Sequence, residues 1–177
     1  MGHYTGAGLL EWRFVPRQKL VIYPGSFDPP TNGHLDLIRR ASAIFAHVVV
    51  AALRNEEKRP LFDIDERMEM LAEATADLEN VSIDSFDGLL VDYARKREAK
   101  LILRGIRAIS DYEYELQMAL MNRRLYPELE TLFMPAAEQF SYLSSRLVKE
   151  VSRLGGDISS SVPETVARRL AEKQARR

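Results

Sequence analysis

The segment Gly25-Ser26-Phe27-Asp28-Pro29-Pro30-Thr31-Asn32-Gly33-His34 places glycines, hydroxyls and a histidine within a few residues of one another. Gly25 and Gly33 permit close approach of backbone to a ligand. Ser26 offers a hydroxyl and a backbone amide. Thr31 or Asn32 can cap a helix that starts here, which puts His34 in its first turn. Free amides and the positive end of the helix dipole suit a phosphate. A histidine at that place can donate to a phosphate oxygen as charge develops on it. The competing reading is a turn in which His34 merely caps the helix. The segment lacks both G-x-x-x-x-G-K-[ST] and G-x-G-x-x-G, which disfavours a P-loop kinase and a simple dinucleotide-binding dehydrogenase.

Further cations and hydroxyls follow along the chain. Arg54 to Pro60 (RNEEKRP) carries Lys58, which can act as a mobile point charge on phosphate or belong to a solvated charged loop. Arg104 ends an apolar run, where an unpaired charge would be costly. Arg107 follows across Gly105. Two guanidiniums so placed fit two phosphate groups through forked hydrogen bonds. Pairing with Asp111, Glu113 or Glu115 is the alternative, and the phosphate reading is preferred. Near the end, Ser144 and Ser145 would open a helix and present hydroxyls and amides to phosphate, or serve only as caps.

The elements that must hold these residues alternate. Leu20 to Tyr23 is a short strand ended by Pro24-Gly25, and the apolar spacing from Leu35 to Phe45 marks a helix. His47 to Leu53 (HVVVAAL) reads as a strand buried on both faces. Asp63 followed by Glu66 is a capping-box start for a helix to about Ala76. A strand at 81–86, a helix at 89–98, a strand at 100–104 and a long helix from about Asp111 to Tyr126 follow, the last stopped by Pro127. A fifth strand spans 131–134. Helices from about Ser144 to Leu154, stopped by Gly155-Gly156, and from Pro163 onward finish the chain. This order predicts an α/β fold: a Rossmann-like, doubly wound, five-stranded parallel sheet with helices on both faces. Ligands then sit beyond the carboxyl ends of the strands, where strand order reverses. The loops to search are 24–33, 54–63, 87–89, 105–110 and 135–144.

Length and composition set the frame. The chain has 177 residues, which favours one domain, spanning 20–177. Residues 1–19 have four Gly or Pro and no sustained apolar stretch, and read as an extension of poor order preceding that domain. The absence of cysteine excludes disulfides and thiolate metal sites and fits a reducing, cytoplasmic compartment. With 25 basic and 26 acidic residues, the chain lacks the basic excess of a general nucleic-acid binder. No run is long and apolar enough to span a membrane. The helix from Asp111 is apolar on more than one face, which reads as core or as a subunit interface. The basic end (Arg168, Arg169, Lys173, Arg176, Arg177) reads as a solvated helix terminus.

GSFDPPTNGH resembles the T/HxGH signature of the nucleotidyltransferase superfamily, and FSYLSSRLVKE its second signature, usually written ISSSxVK. RGIRAISDYEYELQMALMNR is similar to the diagnostic block of phosphopantetheine adenylyltransferases. The similarity runs from about Leu20 to the final helix. That family transfers the adenylyl group of ATP to 4′-phosphopantetheine, giving 3′-dephospho-coenzyme A and pyrophosphate. The resemblance implies ATP contacts at Ser26, Phe27, His34, Gly105, Ile106, Arg107, Glu115, Phe140, Ser141, Tyr142, Leu143, Ser144, Ser145 and Arg146. It implies phosphopantetheine contacts at Ser26, Lys58, Leu90 and Arg104. His34 would stabilise the transition state, helped by Lys58 and Arg107, with no general base. It further implies Mg2+ brought with ATP and no dedicated metal ligands, a homohexamer, feedback binding of coenzyme A, and neither nucleic acid nor membrane as partner. Ser26 stands where many members have Thr, with the hydroxyl kept. Arg146 stands where many have a third Ser, so only its backbone could take over that contact.

Overall fold

The structure is a computed structural model that describes residues 20–54 and 59–175. Lys58, Arg176, Arg177 and the extension 1–19 lie outside the described residues. The elements run β1 (Val21–Gly25), α1 (Asn32–Ile44), β2 (Val48–Leu53), α2 (Ile64–Ala74), β3 (Val81–Phe86), α3 (Leu90–Lys96), β4 (Leu101–Ile106), α4 (Ile109–Leu125), β5 (Glu130–Pro135), α5 (Ser145–Arg153) and α6 (Glu164–Ala175). A 3-10 turn, Glu138–Phe140, precedes α5.

All strands pair in parallel in the order β3-β2-β1-β4-β5. The chain winds outward from β1 to β3, then returns to place β4 on the other side of β1. The β1–β4 border is therefore the switch point expected to hold a ligand. Pairing across it is confined to Ile22↔Ile102. Pro24, two residues on, has no N–H to extend the ladder. β1 nevertheless continues through Pro24-Gly25, which pair with Ala51 and Ala52 of β2, so the predicted stop at Pro24 falls two residues early.

Alternation along the strands fills both faces of the sheet. Val21, Tyr23, Val48, Val50 and Leu103 point into a core covered by α1 and α2. Ile22, Val49, Ala51 and Ile102 point to the opposite core with Val91 and Ala94 of α3. Each such fully buried aliphatic side chain contributes about 1.5–3 kcal/mol over exposure. A third cluster joins Phe62, Met70, Leu143 and Val148 to Ile158, Val162, Val166 and Leu170, and seats α5 against α2 and α6. The capping box expected at Asp63 forms, with mutual Asp63 and Glu66 hydrogen bonds of 2.9 and 3.0 Å.

One expectation changes and one narrows. The basic last helix is not simply solvated: Arg169 bonds Glu69 and Glu73, and Lys173 bonds Glu66, all on α2. Of the two readings of helix α4, core and subunit interface, exposure removes the first. The helix begins at Ile109, and its Tyr112, Leu120, Met121 and Leu125 are exposed. It lies along β4 and β5 at one end of the sheet, so only a narrow strip finds cover, with Tyr112 edge-on to Phe133.

Candidate active site

The carboxyl ends of β1 and β4 open into a cavity of about 550 Å³. Its floor is set by packing. Phe27 has φ 47°, a region that costs a non-glycine residue about 1–2 kcal/mol, yet its ring is fully buried. The ring sits edge-on between Tyr23 (5.5 Å) and His34 (5.1 Å). A Cβ on Gly25 would lie 2.8 Å from its Cζ. Gly25 is thus required by the neighbouring phenylalanine and also lines the cavity. Gly105 is constrained in the same way, since a Cβ there would meet Leu37 Cδ1 of α1 at 2.4 Å.

His34 is the third residue of α1, and Thr31 is its cap. The capping box is unusual: its return bond comes from an imidazole, with Thr31 N–H donating to His34 Nδ1 at 3.0 Å. Glu or Gln normally fills that place. Thr31 Oγ1 also lies 3.0 Å from Nδ1. A ring nitrogen that accepts a backbone N–H cannot itself carry the hydrogen, so a neutral His34 must carry it on Nε2. Burial, then the Arg107 and Arg104 guanidiniums, push the His34 pKa down to about 4. The ring is therefore a neutral Nε2–H donor at physiological pH.

The arginines have defined partners. Arg104 grips Glu115 bidentately (2.7 and 2.6 Å) and donates to the Pro24 carbonyl at 2.7 Å. It thus ties β4 to the carbonyl of β1 at the strand gap. Arg107 grips Asp111 (2.8 and 3.1 Å) and donates to the Leu143 carbonyl at 3.0 Å. Glu113 takes no part in either pair. The alternative reading of these arginines as ion-paired is therefore realised, and Glu115 holds Arg104. Both guanidiniums line the cavity and keep N–H groups beyond those used in these bonds.

Two helix starts converge on the cavity. In α1 the Asn32 amide is taken by the Ser161 carbonyl and the His34 amide by Thr31 Oγ1. The Gly33 amide has no acceptor among the described residues. In α5 the Ser144 hydroxyl caps the Leu147 amide, and the Ser145 hydroxyl donates to the Pro29 carbonyl at 2.7 Å. Those hydroxyls are structural; the first-turn amides of Ser145 and Arg146 have no acceptor among the described residues. Such amides are the usual anion donors of a helix start.

Of the residues singled out in the sequence, Ser26, Phe27, His34, Arg104, Gly105 and Arg107 line the cavity. So do Glu115, Phe140 and Leu143 to Arg146. Ile106, Ser141, Tyr142 and Leu90 do not. Leu90 starts α3 and packs on the second core. Lys58 lies outside the described residues. Sequence reasoning missed Asp28 and Arg67. Asp28 takes the amides of Leu61 and Phe62 more than thirty residues on, a separation that carries no periodic signal, and Arg67 reads as one more helix-surface charge. Asp111, one of the three acids the sequence offers to these arginines, is the one Arg107 takes.

The sequence pattern of the Cytidylyltransferase-like family matches residues 22–151. The chain is 52% identical to the phosphopantetheine adenylyltransferase of Alkaliphilus metalliredigens, over 88% of this chain and 99% of that one. It is 53% identical to the phosphopantetheine adenylyltransferase of Heliobacterium modesticaldum, over 87% and 92%. Among solved structures it resembles a Plasmodium falciparum nicotinic acid mononucleotide adenylyltransferase complexed with NaAD. There the TM-score is 0.63 at 14% identity over 88% and 95% of the two chains, a likeness of fold. The switch-point cavity with its histidine in a T-x-G-H turn thus lies in a chain that belongs to the phosphopantetheine adenylyltransferases, within the cytidylyltransferase-like family.

Proposed function

We infer that the protein transfers the adenylyl group of ATP to 4′-phosphopantetheine, releasing pyrophosphate and 3′-dephospho-coenzyme A, in coenzyme A synthesis. The observation that carries this reading is the neutral, Thr31-locked His34 set between two guanidiniums and two open helix starts, in a chain half identical to named enzymes of that activity.

The reaction is in-line attack of an acceptor phosphate oxygen on the α-phosphorus of ATP. A phosphomonoester with a second pKa of about 6 is mostly dianionic at neutral pH, so the nucleophile needs no base. The difficulty is to hold two polyanions together, and catalysis rests on positioning and charge stabilisation. His34 Nε2–H donates to the α-phosphoryl oxygen on which charge grows. Arg107 and the amides of Gly33, Ser145 and Arg146 take the nucleotide phosphates, with Ser26, Phe27, Gly105 and Phe140 against the rest of the nucleotide. Arg104, Ser26 and Lys58 take the acceptor. The cavity acids Asp111 and Glu115 are each bound to an arginine, and no group of three His, Asp or Glu converges among the described residues. Mg2+ arriving with ATP would supply neutralisation of the charge that grows on the leaving pyrophosphate.

Incubation with ATP, Mg2+ and 4′-phosphopantetheine tests this: dephospho-coenzyme A and pyrophosphate should form together. Product only with nicotinate mononucleotide would refute the acceptor, and ATP binding without pyrophosphate would refute catalysis. A homohexamer, coenzyme A feedback and a cytoplasmic location belong to the same proposal. The exposed apolar residues of α4 support the assembly, which light scattering checks. No helix among the described residues is long and apolar enough to cross a membrane.

A further inference from the structure

Arg67 is a buried arginine of α2 whose guanidinium bonds backbone carbonyls and meets no carboxylate among the described residues. Its Nη1 donates to the Ser26 carbonyl at 2.7 Å and to the Leu53 carbonyl at 3.0 Å, and its Nε to the Asp63 carbonyl at 3.1 Å. Those carbonyls belong to the first loop, the end of β2 and the cap of α2. Asp28, equally buried, works from the other side of the same junction. It accepts the Leu61 and Phe62 amides at 3.0 and 2.9 Å and pairs with Lys149 of α5 at 2.6 Å. Buried ionic groups that bond backbone on separate segments fix those segments relative to one another, because any displacement strands a charge. Neither residue lines the cavity.

We propose that Arg67, with Asp28, is a positioning residue for adenylyl transfer: the pair fixes Ser26 and Phe27 between the ends of β2, α2 and α5, and so sets the distance between the two phosphates. This rests on the reading of the site given above. A lysine at 67 keeps the charge but cannot span three carbonyls, and misplacement of about 1 Å near reacting groups costs about 10²-fold in rate.

The test compares Arg67→Lys, Asp28→Asn and the double variant with the parent by pyrophosphate release at saturating substrates, alongside Tm. Leu129→Val, a core change at the opposite end of the sheet, is the matched control for lost stability. Arg67→Lys and Asp28→Asn should each lower kcat about tenfold or more at temperatures where both are folded, and the double variant should lose no more than the worse single one. Leu129→Val should keep the parent kcat at a similar Tm. An unchanged kcat in Asp28→Asn, losses that multiply, or losses that Leu129→Val reproduces would overturn the proposal. Should Arg67→Lys fail to fold, Asp28→Asn decides by the same comparison. Each kcat is read as a ratio to the parent on whichever phosphorylated acceptor the parent uses, so a wrong acceptor is a separate failure seen in the parent alone.

Discussion

Replacing His34 by Ala separates the transition-state role proposed for it from its work in the fold. The ring gives the fold an acceptor for the Thr31 amide and an edge contact with Phe27. Losing one such bond costs about 1–2 kcal/mol, so the variant should remain folded with a modestly lower Tm. A single donor aimed at a developing oxyanion contributes about 10²–10³-fold in kcat, and it acts little on ground-state ATP. His34→Ala should therefore lower kcat by about 10²–10³-fold and change the ATP dissociation constant by less than about threefold. The pH profile adds a second reading. With its pKa held near 4, His34 does not titrate in the working range. The acid limb of kcat/KM should fall near pH 6, where the acceptor phosphate takes a proton. The measurement is pyrophosphate release from pH 5 to 8.5 in parent and variant, with ATP affinity by calorimetry. That limb should persist in His34→Ala. A variant turning over within about threefold of the parent refutes the donor role. A limb that vanishes with the histidine means that His34 itself titrates as acid or base.

Arg104→Ala should raise KM for 4′-phosphopantetheine at least about tenfold, with a smaller effect on ATP. It should also destabilise by about 1–3 kcal/mol, because Glu115, largely buried, loses its partner; substrate titrations and urea melts check both. Gly105→Ala forces a methyl onto Leu37 and should cost about 1–3 kcal/mol, read as a drop in Tm. Between pH 6.5 and about 4 the unfolded chain binds a proton at residue 34 that the native site refuses. Stability should therefore fall as pH falls through that window, by up to about 3 kcal/mol from this group. His34→Ala should flatten that part of the curve, and an unchanged slope in urea melts would refute the assignment.

The order of elements was legible because each carries its own punctuation. HVVVAAL reads as a strand covered on both faces, Asp63 and Glu66 announce a cap, and Pro127 ends a helix. The site loops followed, since a doubly wound sheet gathers them at one border. What the sequence withheld was partner choice across distance. Arg104 had three acids within reach in sequence and takes the one eleven residues on, because that carboxylate stands one helical turn beyond Asp111 on the same face of α4. Arg67 is read by backbone carbonyls, which have no side-chain signature. The exposure of α4 depends on its place at the sheet end, which apolar spacing alone does not distinguish from burial. Gly25 and Gly105 were visible as special, but the atoms that forbid a side chain there are Phe27 and Leu37.

The third cluster has a bearing on where the catalytic unit ends. The family pattern stops at residue 151, but Val148 of α5 is buried against Ile158, Val162, Val166 and Leu170, which come after it. The Asn32 amide and side chain are held by the Ser161 and Ser160 carbonyls. The stretch from 158 to 170 is thus an outer brace on both helix starts that face the cavity. A chain cut near Gly156 would keep the residues of the two sheet cores and every cavity-lining residue but remove the brace from both turns that face the cavity.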